Sequence, residues 1–121
     1  MPMRAYARGV TTDKRREVRY PARIVARVRR RHQMIDLLTN DVSFRGVFVR
    51  TDSPPALRQL VRVELLLPDK VVVSGHAMVV HVTERPDGLP KGEGPVPGVG
   101  LQFWGPIDPA KAWEQFIHAL K

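Results

Sequence analysis

The chain has 121 residues, 43% hydrophobic and 26% charged, which fits a soluble globule with a single modest core and leaves no room for a second. Without cysteine it has neither disulfides nor thiolate zinc sites, and no stretch approaches the ~18 to 20 apolar residues that span a bilayer, so a cytoplasmic location is expected. The net charge of +8 is uneven: residues 1–31 hold eleven Lys/Arg against Asp13 and Glu17, leaving +9 in the first quarter and −1 in the rest. A positive field focused on one region suits an anionic partner, whether nucleotide, nucleic acid, acidic protein or membrane surface.

Residues 1–13 show no sustained period and contain Pro2 and Gly9, so a flexible basic leader is expected there. From Tyr20 the pattern alternates: Ile24, Ala26 and Val28 share one face and Arg23, Arg27 and Arg29 the other, the period of a strand with one wet side. Residues 33–40 read as a second strand, paired antiparallel through a turn at Arg30, Arg31 and His32. A turn over residues 41–46 leads into a short strand at 47–50, which Pro54 and Pro55 close off because proline has no N–H for a ladder.

Alternation resumes at 60–67, with Val61, Val63, Leu65 and Leu67 opposite Arg62 and Glu64. Pro68-Asp69-Lys70 reads as a tight turn into the longest strand, 71–83, in which Gly75 marks a bulge or bend. Residues 85–97 hold seven Pro or Gly and form a surface loop. A last strand covers 98–104, and Asp108-Pro109 predicts a helix start with Asp108 as N-cap. Ala110, Trp113, Phe116, Ile117 and Leu120 make one apolar helical stripe, with Lys111, Glu114 and Gln115 outside. Some six short strands and one terminal amphipathic helix predict an all-β class, a small antiparallel barrel plugged or flanked by that helix.

Two stretches carry chemistry: Lys14-Arg15-Arg16-Glu17-Val18-Arg19 before the first strand, and Asp41-Val42-Ser43-Phe44-Arg45-Gly46 one hairpin later. An Arg-x-x-x-Arg followed by Asp-x-Ser-x-x-Gly resembles the signature of the PilZ domain family, bacterial receptors for cyclic di-GMP. The strand order, the late Gly98-Val99-Gly100-Leu101-Gln102-Phe103 and the closing helix fall in the family's sequence too, so the resemblance spans residues 14–121 and implies a six-stranded antiparallel barrel with a C-terminal helix. It also implies a ligand site of Arg15 and Arg19, with Lys14 or Arg16 adding phosphate contact, and of Asp41, Ser43 and Gly46.

The chemistry of those residue types agrees. A guanidinium fork matches the O6/N7 edge of guanine and also engages phosphate bidentately. A carboxylate such as Asp41 accepts from N1–H and the N2 amino group on the opposite edge; Ser43 hydrogen-bonds base or phosphate, and Gly46 leaves room for close approach or a positive-φ turn. The strand over residues 71–82 has no aromatic side chain of the kind that stacks on guanine in some family members, so stacking falls to arginine. Lys14 sits where the family varies in binding one or two ligand molecules.

Other constellations carry less. His32, His76, His81 and His118 are scattered, with His76 and His81 on opposite strand faces unless a bulge intervenes, so no metal is expected. No nucleophile with a base, no paired carboxylates and no phosphate-cradling loop with Lys stands out, so neither catalysis nor a cofactor is expected. Trp113 and Phe116 read as core, while Trp104 reads either as packing on the helix or as a partner surface. A nucleic-acid-binding barrel is disfavoured because its faces need interleaved aromatics. The reading is a cyclic di-GMP receptor whose N-terminal segment, mobile without ligand, orders on binding and signals to a downstream protein, such as one of a motility or secretion apparatus. The alternative is a related adaptor that binds no nucleotide.

Overall fold

The computed structural model of the chain describes residues 17–90 and 92–121. Within them lie seven strands, β1 (Arg19–Pro21), β2 (Val25–Arg30), β3 (Gln33–Ser43), β4 (Gly46–Arg50), β5 (Leu60–Leu66), β6 (Val72–Thr83) and β7 (Gly98–Phe103), and one helix, α1 (Ala110–Ala119). All pairings are antiparallel, in the order β3-β2-β5-β6-β7-β4, and the β3–β4 pairing closes six strands into a barrel. β1 is an extra strand laid against β3 beyond its pairing with β2. The sequence-based expectation of a six-stranded antiparallel barrel with a C-terminal helix holds.

Alternation explains the closure. Ala26 and Val28 of β2, Val61, Val63 and Leu65 of β5, Val73, Ala77 and Val79 of β6, and Val99 and Leu101 of β7 are all buried in one interior cluster. Each buried valine or leucine among them stabilises by roughly 1.5–3 kcal/mol when fully removed from water. A closed barrel lets every strand bury one face without leaving a long bare edge. Trp113 and Ile117, one helical turn apart on α1, join the same cluster, with Phe116 and Leu120 packed beside them. No helix among the described residues is long and apolar enough to cross a membrane.

Four local expectations are corrected. The alternation that begins at Tyr20 is split between β1 and β2, because the chain steps at Ala22–Ile24. Thr39 fills that step: its buried hydroxyl donates to the Ala22 carbonyl (2.7 Å) and accepts from the Ile24 N–H (2.9 Å). β3 continues to Ser43, so residues 41–43 are strand and the turn shrinks to Phe44 and Arg45.

Gly75 is no bulge, since β5 and β6 stay in register across it. A Cβ there would lie 2.8 Å from the Ile107 side chain, so the glycine admits the segment leading into α1. The register shift in β6 falls between Val79 and His81 instead, which puts both His76 and His81 on the exposed face although they are five apart. Asp108 does not cap the helix: its backbone forms a two-way bridge with Ser74 (2.8 and 2.9 Å), Pro109 takes the N-cap position, and no side chain caps α1.

Candidate functional site

The site is assembled where β1 meets the end of β3. In register, Arg19 lies opposite Ser43, Tyr20 opposite Val42 and Pro21 opposite Asp41. Along β3 the residues facing the interior are Ile35, Leu37 and Thr39, and unbroken alternation would send Asp41 inward next. A register shift between Thr39 and Asp41 adds one residue, so Val42 becomes the buried neighbour and Asp41 emerges on the outer side. The bulge thereby spares the core a carboxylate and aims it at β1.

There the Arg19 Nη1 donates to Asp41 Oδ1 at 3.0 Å, with the arginine side chain 54% and the carboxylate 23% exposed. Asn40 donates to the other carboxylate oxygen at 3.4 Å. Among the described residues one guanidinium N–H is engaged, so the rest of its five donors have no partner there and stand beside a carboxylate. That places a donor fork next to a carboxylate, the complement of the two hydrogen-bonding edges of guanine.

Ser43 is 2% exposed and its hydroxyl donates to the Gly46 carbonyl at 3.3 Å, so the serine closes the turn it precedes. Gly46 does not have a positive φ, and its missing side chain faces the β7 backbone: a Cβ would collide with the Leu101 carbonyl oxygen. The glycine is therefore required by strand packing, a role that its place in the motif did not reveal. Lys14, Arg15, Arg16 and the leader of residues 1–13 lie outside the described residues. The structure thus brings together Arg19, Asp41, Ser43 and Gly46 of the expected set.

Trp113 is the residue that motif reading missed. It is 1% exposed, packs edge-on against Phe103 (5.4 Å between centroids), and donates its indole N–H to the Phe44 carbonyl at 3.2 Å. On the next residue, the Arg45 carbonyl accepts from the Phe103 N–H at 2.8 Å. The Phe44–Arg45 turn is thus pinned from α1 and from β7, and a groove of about 430 Å³ between Phe44, Arg45, Ile107, Trp113 and Glu114 opens next to it. A buried indole N–H needs an acceptor, which was the available signal, though sequence alone could not say that the acceptor would lie in the motif.

A protein-family description, PilZ domain, matches residues 13–119. The chain belongs to the PilZ domain family. No curated protein matches it. Among solved structures, this PilZ domain is similar to the Bacillus subtilis inhibitor of motility MotI/DgrA, with a TM-score of 0.68 at 15% identity. The match covers 88% of this chain and 49% of that one, so the chain spans about half the length of that protein and the likeness is one of fold.

Proposed function

We propose that this PilZ domain is a cyclic di-GMP receptor and adaptor, in which Arg19 and Asp41 engage guanine and Arg15, with Lys14 or Arg16, engages the second base and the phosphates. The observation that carries the reading is the outward Arg19–Asp41 pair, which a bulge places at the meeting point of the family's two motifs. Family membership supports the ligand, and the excess of basic charge in residues 1–31 supports an anionic one.

Binding would draw residues 14–19 across the turn at 41–46. Phosphate neutralises the arginines, and the surface offered to a downstream protein changes with them. The pinned Phe44–Arg45 turn is the fixed half of this device.

Thermal unfolding with added nucleotide tests the proposal. A ligand that binds only the folded state stabilises it by about 2.7 kcal/mol at a hundredfold excess over Kd. Cyclic di-GMP should raise the melting temperature in a concentration-dependent way, while cyclic di-AMP and GTP at equal concentration should not. An unchanged melting temperature would leave the nucleotide-free adaptor in its place.

A further inference from the structure

Side chains on the outer wall of the barrel stand in rows, because residues sharing a register position on neighbouring strands lie about 4.7–4.9 Å apart. One row is aliphatic, Leu38–Val25–Leu66–Val72. The next, Asp36–Arg27–Glu64, is self-compensated: Arg27 donates to Asp36 at 2.8 Å and approaches Glu64 at 3.8 Å. The third row runs Met34–Arg29–Arg62–His76 and continues to Trp104, whose backbone N–H bonds to the His76 carbonyl at 2.8 Å.

That third row is out of balance. Arg29 stands directly opposite Arg62, both are exposed, and neither has a carboxylate within 4.0 Å among the described residues. The acids on the adjoining row are already engaged by Arg27. Like charges facing each other across a strand pair oppose folding, so folding itself gives no reason to keep both arginines. Apolar side chains frame the row: Trp104 is 58% exposed at one end, Met34 39% at the other, and Leu60, one row along, 49%.

We propose that this row is a docking surface for an acidic, amphipathic helix of a partner protein, separate from the nucleotide site on β1 and β3. The spacing fits, since carboxylates one helical turn apart repeat at about 5–6 Å, close to the step from Arg29 to Arg62 to His76. Each arginine then meets a carboxylate and the like-charge conflict is relieved, while the helix's apolar side covers Trp104 and Leu60. A single nucleic-acid strand would call for several stacking aromatics, and this row holds one.

The test uses the full chain and a helical peptide of about 18 residues, long enough to hold a helix, with Glu at every fourth position and Leu alongside. Trp104 is exposed and Trp113 is 1% exposed, so a blue shift of tryptophan emission reports on the row. The peptide should bind, more weakly as salt rises, and Arg62→Glu should lower its affinity about tenfold or more. Lys111→Gln, an exposed charge on α1, should leave it unchanged.

Arg62→Glu should at the same time melt higher than the parent, because it turns the Arg29 conflict into an opposite-charge pair. The inference is overturned if the peptide fails to bind at about 1 mM, or if its Lys counterpart binds equally well. It is likewise overturned if a single-stranded oligonucleotide or anionic vesicles bind more tightly than the peptide, if Arg62→Glu leaves the affinity unchanged, or if that variant melts lower.

Discussion

The Arg19 guanidinium sits 3.0 Å from the Asp41 carboxylate, across a strand pairing that exists only because β3 runs on beyond its pairing with β2 to meet β1. The contact ties the last arginine of one motif to the first residue of the other. In the free protein the pair compensates itself. In the proposed complex each partner would serve one edge of guanine.

Replacing Arg19 with alanine separates ligand binding from folding. The pair is substantially exposed, so urea unfolding should change by about 1 kcal/mol or less. A lost bidentate base contact is worth about 1–3 kcal/mol, so affinity for cyclic di-GMP should fall about tenfold or more. Parallel titration and urea melts of Arg19→Ala check both halves, and an unfolded variant or unchanged affinity would contradict the assignment.

Thr39→Val keeps the shape of a fully buried side chain and removes the hydroxyl that bridges Ala22 and Ile24. Leaving a buried polar group unpaired costs about 1–3 kcal/mol. Urea unfolding should show a loss of about that size, and since β1 hangs from this step, cyclic di-GMP affinity should weaken as well. Stability equal to the parent's would mean that the hydroxyl is not what joins β1 to β2.

Trp113 gives a graded test of how the helix holds the turn. Trp113→Ala empties a core position and should cost about 3–5 kcal/mol. Trp113→Phe keeps much of the ring but releases the Phe44 carbonyl, and should cost about 1–2 kcal/mol, with the loss of one hydrogen bond contributing about 1. Both are read from denaturant midpoints, where a phenylalanine variant as stable as the parent would assign the whole effect to packing.

Acid should weaken the barrel partly through Asp36. Its hydrogen bond with Arg27 holds the carboxyl below the usual carboxylate range, and the same bond raises the Arg27 guanidinium. A depressed folded-state value contributes stability that is complete above the unfolded value, about 3.9, and disappears as pH falls through the lower folded value. Between pH 5 and pH 2, roughly, the melting temperature of the parent should therefore drop more steeply than that of Asp36→Asn. Identical slopes would show that the contact is not maintained in solution.

The barrel was legible in the sequence because its strands obey a strict period: Val61, Val63 and Leu65 are buried and Arg62 exposed, as alternation requires. What escaped were the places where the period breaks. The bulge before Asp41 inverts the faces of β3, and nothing in Thr39-Asn40-Asp41 announces it. Asp108 looked like a helix cap because Asp-Pro is a common start signal, yet a backbone bridge to Ser74 claimed that residue. In the site, residue types pointed to Arg19 and Asp41. The part played by Gly46 depends on the Leu101 carbonyl and that of Trp113 on the Phe44 carbonyl, contacts between distant segments that no local pattern encodes.

The central claim is tested most directly by calorimetric titration of the chain with cyclic di-GMP, set beside cyclic di-AMP and GTP and repeated on Arg15→Ala and Arg19→Ala. Saturable binding of cyclic di-GMP alone, weakened about tenfold or more in each variant, is the predicted result. No heat at about 100 μM ligand, or equal binding by the parent and both folded variants, would contradict it.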